Sequence, residues 1–167
     1  TSSPNAWVLD ARSGGAVSYE RKTDSNFLRL VSGDGITAGY CGPSVGSVDL
    51  FEYKNGGTTV RTVYDQKSGL MWKRCSEGDT GEQCQPSNIQ FNTNIDEDAV
   101  ATYISNWVEN VNKNPTTLGA GFSDWRLPSI KELASLVDRC RDSGPAINAE
   151  LFPGTYDQSY LTSTNDA

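Results

Sequence analysis

Asp124, Arg126, Glu132 and Asp138 are the side chains best placed to do chemistry. Two carboxylates close together could share acid–base work, one protonated and one ionised. Their surroundings point elsewhere. Asp124-Trp125-Arg126 runs into Leu127-Pro128-Ser129, and Ser129 followed three residues later by Glu132 is a helix capping box. Capping accounts for Glu132. An internal ion pair or a backbone contact accounts for Arg126. The chain has no His, which excludes Ser-His-Asp and Cys-His nucleophiles. The expectation is a protein that is not an enzyme.

Metal chemistry finds little support. Asn92, Asn94, Asp96 and Asp98 alternate like the opening of a calcium loop, but Glu97 and Tyr103 stand where the sixth-position glycine and the final glutamate belong. Calcium is kept as a candidate cofactor, against the plainer reading of a solvated loop ending in a helix cap. No other metal is expected. Zinc would need a different ligand set, since there is no CxxC pair and no His.

The four cysteines read instead as disulfides. Cys75 and Cys84 flank the polar stretch SEGDTGEQ, a stapled hairpin or Ω-loop, and a second bridge between Cys41 and Cys140 would use every thiol. Three pairings exist and the sequence does not choose among them. Disulfides imply an oxidising compartment, so the chain is expected to be secreted, extracellular or on a cell surface. Trp7, Trp72, Trp107 and Trp125 could form a platform for sugars. All four fall in strand or core patterns, however, and are expected to be buried. Tyr156 and Tyr160 lie in the loop-rich end, a better place for a ligand surface.

The elements that must position these residues follow from periodicity. Ala6 to Leu9, Ala16 to Glu20 and the alternating Phe27-Leu28-Arg29-Leu30-Val31 read as a strand meander. A Gly/Ser/Pro-rich connector follows. Residues 50–64 read as a hairpin turning at Lys54-Asn55-Gly56-Gly57, and Leu70 to Lys73 continues it. Val100, Ile104, Trp107, Val108 and Val111 recur at helical spacing. A second helix is expected from about Ser129 to Arg141, burying Ile130, Leu133, Leu136, Val137 and Cys140. A last strand spans Ser159 to Thr162. The class is α+β: an antiparallel sheet, two helices, many loops, stapled by disulfides. With 167 residues and a net charge of −7, nothing favours nucleic-acid binding. No apolar run reaches the length of a membrane span.

Five landmarks give a resemblance. Asp65-Gln66-Lys67-Ser68-Gly69-Leu70-Met71-Trp72, then Ser123-Asp124-Trp125-Arg126-Leu127-Pro128-Ser129-Ile130-Lys131-Glu132-Leu133, Pro145-Ala146-Ile147-Asn148, Phe152-Pro153 and Tyr160-Leu161-Thr162-Ser163-Thr164 stand in the order of one family. It is the Legionella collagen-like protein C-terminal domain family. The resemblance implies a C-type-lectin-like fold related to the formylglycine-generating and sulfatase-modifying domains. It also implies exported proteins without catalysis, and adhesion to sulfated glycans for the best-known member.

The family's closing meander, by the same resemblance, should follow the Ser-Thr motif. Here its counterpart stands at the start, from Asn5-Ala6-Trp7 to Val31-Ser32-Gly33. Thr1 to Ala6 also resembles Thr162 to Ala167, so the chain reads as one period of a head-to-tail series. Three segments are expected: residues 1–33 as a closing meander, 34–49 as connector, and 50–167 as the opening and central part of the domain. The closing strands, carrying Trp7, Val8, Leu9, Phe27, Leu28 and Leu30, belong either to this chain's own domain or to that of a neighbouring subunit or repeat. The expected function is a subunit of a bacterial surface filament, assembled from copies of itself head-to-tail by strand complementation. The alternative is a monomeric lectin-like adhesion domain that binds glycans.

Overall fold

The structure is a computed structural model of the 167-residue chain. It describes residues 5–11, 16–21, 27–33, 48–55, 57–86, 97–138 and 144–164. Cys41, Cys140 and the calcium candidates Asn92, Asn94 and Asp96 lie outside the described residues, as does most of the connector.

The class is mixed α+β, with two antiparallel sheets and two helices among the described residues. Strands β1 (Asn5–Asp10) and β2 (Ala16–Arg21) form a hairpin, and β1 pairs on its other side with β7 (Ser159–Leu161). The second sheet runs β3-β6-β5-β4: Val31–Ser32, Leu70–Lys73, Thr58–Asp65 and Val48–Asn55. Asn55 pairs with Thr58, which closes the β4–β5 hairpin tightly. Gly57 takes φ +90°, a conformation that favours glycine. Between β5 and β6, the Asp65 carboxylate accepts from the Lys67 N–H and the Ser68 hydroxyl, closing the turn locally.

Helix α1 (Glu97–Lys113) follows its predicted stripe. Val100 and Val111 are buried, while Ile104, Trp107 and Val108 are half-buried. Helix α2 corrects the expectation. It spans only Ile130–Ala134, not Ser129 to Arg141. The Ser135 hydroxyl donates to the Glu132 carbonyl at 2.6 Å. Val137 then bridges to Ile147, and the Asp138 N–H donates to the Ala146 carbonyl at 2.9 Å. Leu133, Leu136 and Val137 are buried as their spacing suggested. A pairing partner 10 residues further on ends the helix, because it offers the backbone bonds that another helical turn would otherwise supply.

The segment from Phe27 to Val31 is also altered. Only Val31–Ser32 is regular strand, and residues 27–31 are buried on both faces. Phe27 and Val31 join one core cluster with Leu9, Trp72, Leu133 and Tyr160. Leu28 joins Val8 and Leu161 against Ile104, Trp107 and Leu127. Leu30 joins Val111 and Trp125. The alternation is real, but it separates two buried environments rather than core from solvent.

Candidate functional site

The family-like landmarks converge on the seat of residues 27–33. The Phe27 N–H donates to the Ser159 carbonyl and the Leu161 N–H to the Phe27 carbonyl, both at 2.9 Å. The Leu28 carbonyl accepts from Glu77 N–H at 3.0 Å, and the Leu30 carbonyl from Lys73 N–H at 3.2 Å. Val31 and Arg126 exchange both backbone bonds, at 3.0 and 2.9 Å. Beyond them the Ser32 hydroxyl donates to the Asp124 carboxylate at 2.6 Å, and the Arg126 guanidinium to the Gly33 carbonyl at 3.0 Å. The segment's backbone is thus satisfied by four separate parts of the chain: β7, the loop after β6, β6 itself and the Asp124–Arg126 stretch.

Arg29 is the feature sequence reasoning missed. The sequence reading assigned Arg29 no role beyond its place in an alternating strand, yet it is fully buried. Its guanidinium donates to the carbonyls of Lys73 at 2.9 Å and Arg74 at 2.6 Å, and to the hydroxyls of Ser76 at 3.4 Å and Thr155 at 2.9 Å. It lies over the Phe152 ring at 4.9 Å and the Tyr160 ring at 5.9 Å. Burial pushes its pKa down, while Tyr160, Glu77 and Asp79 oppose that shift. Nothing in a single sequence distinguishes it from a surface arginine, since its partners are mainly carbonyls and hydroxyls far along the chain.

The Asp124–Glu132 stretch is a clamp. Arg126 makes two parallel bonds to the Glu132 carboxylate, at 2.9 and 2.7 Å. Ser129 and Glu132 form both halves of the capping box. Burial alone would raise the Glu132 pKa. The bonds from Arg126 and Ser129 outweigh it and hold the carboxyl below its usual range. Trp125 is buried, its indole N–H donating to the Gly119 carbonyl at 2.8 Å, and Asn112 of α1 brackets its backbone. Leu127 is half-buried in the cluster around Leu28. The Pro128 carbonyl accepts from Ser163 N–H at 2.8 Å. Of the candidate carboxylates, Asp124 and Glu132 are engaged by the chain's own donors. Asp138 follows α2, with its N–H bonded to the Ala146 carbonyl.

The remaining candidates are placed as follows. Cys75 and Cys84 are joined by a disulfide. Their loop is tied down by the Arg74 guanidinium, which donates to the carbonyls of Glu82, Glu150 and Leu151. Trp72 is fully buried in the main cluster. Trp7 takes its place in β1. Tyr160 corrects the expectation of a ligand surface, while Tyr156 is half-buried. Tyr160 is a buried β7 residue whose hydroxyl meets Ser76 at 2.8 Å. Tyr156 stacks on Phe27 at 4.0 Å and donates to Asp79, and burial together with Asp79 raises its pKa to about 12. The strands expected to close a domain, with Val8, Leu9, Phe27, Leu28 and Leu30, pack against β7, β6 and α1.

An open cleft of about 270 Å³ lies beside this seat, lined by Thr59, Arg61, Lys73, Glu77, Thr80 and Trp107 among others. The Trp107 indole N–H donates to Glu77 at 3.0 Å. The Lys73 ammonium donates to the Leu118 carbonyl and lies 5.1 Å from the Trp125 ring centre. Burial lowers the Lys73 pKa, with Glu77 opposing. Among the described residues no group of three His, Cys, Asp or Glu side chains could hold a metal, and no helix is long and apolar enough to cross a membrane.

Searches of curated proteins and of solved structures return no match. The family model of the Lcl C-terminal domain matches residues 61–167. That stretch contains β6, α1, the Asp124–Glu132 clamp and β7, and the chain belongs to the Lcl C-terminal domain family.

Proposed function

We propose that this protein is a non-catalytic structural module, exported and assembled head-to-tail into a bacterial surface filament. In such a series residues 5–33 of one copy close the domain of the next. One observation carries the reading. The family match begins at Arg61, yet β7 and β6 of that matched stretch take strand partners from before it, β1 and β3. Without these partners β7 and β6 would show unpaired edges and Leu161, Val111 and Trp125 would lose cover. A segment joined by a connector can make the same bonds within its own chain or in the next, which is the logic of strand exchange. The satisfied carboxylates and the absence of His support a role without catalysis. The Cys75–Cys84 bridge supports export.

Asp10 and Ser159 are Cα partners in the β1–β7 pair, which supplies the test. The double variant Asp10→Cys/Ser159→Cys is oxidised and run on a non-reducing gel, beside electron microscopy of the unmodified protein. A ladder of linked chains and elongated particles are expected. A cross-linked monomer at every concentration would refute the filament.

The cleft beside Trp107 favours a second, compatible reading: a lectin-like adhesion module whose cleft binds a glycan. Its threonines, charged groups and indole suit a hydroxyl-rich ligand. A glycan-array signal lost in Trp107→Ala would support it, and no signal on the array would end it.

A further inference from the structure

We propose that the groove formed by β7, β6, the loop after β6 and the Asp124–Arg126 stretch, in which residues 27–33 lie, recognises its closing segment chiefly by one buried arginine, Arg29, so that it accepts one sequence in one register. This rests on the reading above only for which chain donates the segment. Leu28 and Leu30 enter two separate apolar clusters on the α1 side. Arg29, between them, enters a seat on the other side built from the carbonyls of Lys73 and Arg74, the hydroxyls of Ser76 and Thr155, and the rings of Phe152 and Tyr160. That seat suits a planar guanidinium, which offers five donors in a fixed fork. A leucine there would leave buried carbonyls short of a donor.

A slip of one residue in either direction inverts every face of an extended segment. Here it would also put the Arg29 guanidinium into an apolar cluster and a leucine into the polar seat. Both errors come from the same slip, so the penalty is double. The backbone bonds shared with Ser159, Glu77, Lys73 and Arg126 add no discrimination, because they run between groups that any residue carries; at the end of the segment the Ser32 hydroxyl on Asp124 adds a side-chain mark to the one made by Arg29. The partner that fits is therefore an extended apolar segment with one arginine flanked by leucines, as in Phe27-Leu28-Arg29-Leu30-Val31 of this chain or of a second copy. An extended segment without the arginine does not qualify.

Register can be read by cross-linking in the full chain. Ser32 is the Cα partner of Met71, while Val31 is that of Trp72. With Met71→Cys, the parent should form a disulfide to Ser32→Cys and little to Val31→Cys. The swapped variant Leu28→Arg/Arg29→Leu has the same composition. Its segment should shift by one residue to reseat the guanidinium, so Val31→Cys should become the dominant partner. A folded swapped variant that still links through Ser32→Cys at the parent rate would overturn the proposal. Should the swapped chain fail to fold, Arg29→Leu alone decides the matter. Linkage through both Val31→Cys and Ser32→Cys at comparable rates is expected, and linkage through Ser32→Cys alone at the parent rate would overturn it. Monomer or ladder on the same gel reports which chain donates the segment, so filament assembly can fail while the register result still stands.

Discussion

Removing the Cys75–Cys84 bridge tests how the loop beneath Arg29 is held. The two residues are 9 apart in sequence. Chain entropy for a closed loop of that size corresponds to about 2.6 kcal/mol at 25 °C, acting through the unfolded ensemble. The native loop has other restraints: three bonds from Arg74, the Thr80–Gln85 bridge and the Glu77 N–H to Leu28. Cys75→Ser/Cys84→Ser should therefore fold to the same structure. Its urea midpoint should fall by about 1.3 M if m is about 2 kcal/mol/M. Its melting temperature should drop by roughly 5–10 °C. Tryptophan fluorescence reports the unfolding, and amide exchange at Glu77 reports whether the loop still holds Leu28. An unchanged midpoint would refute the chain-entropy reasoning. A loss above about 5 kcal/mol, with Glu77 unprotected, would show that the bond itself shapes the native seat.

Two further outcomes follow from the same structure. Leu30→Ala removes a fully buried side chain from the Val111–Trp125 cluster and should cost about 3 kcal/mol in urea unfolding. Glu132→Gln breaks the bidentate pair with Arg126, whose side chain keeps solvent access, and should cost about 2 kcal/mol at neutral pH. Because the folded Glu132 pKa is depressed, its contribution is complete above the unfolded value of about 4.3 and is lost as pH falls through the lower folded value. The Gln variant should show a flatter acid limb than the parent in denaturation curves taken below about pH 5.

The elements whose signals are local were legible. Apolar spacing marked α1, Asn55-Gly56 marked the β4–β5 turn, and Ser129 with Glu132 marked the start of α2. The Asp124–Glu132 stretch was legible as a landmark, although not as a clamp on Ser32 and Gly33. What could not be read depends on partners far along the chain. Leu136 and Val137 keep helical spacing, but Ile147 takes the backbone away from the helix. Arg29 sits in an alternating stretch, and the groups that explain its burial begin 44 residues further on. Tyr160 falls in the expected last strand, and its burial against Phe27 and Arg29 depends on residues more than a hundred positions back.

The pairing of β1 with β7 also sets a clock. Val8 lies opposite Leu161, so closing that sheet joins residues about 150 positions apart. Contacts of such long range slow folding, because the loop entropy is lost before the pairing returns anything. A chain delivered from its N-terminal side displays β1, β2 and the Phe27–Gly33 segment long before Ser159–Leu161 exists to receive them. The disulfide loop, α1 and the clamp can form during that wait. Closure is then the last and slowest event. For as long as it is pending, the groove and the segment that fills it are both open on the same molecule.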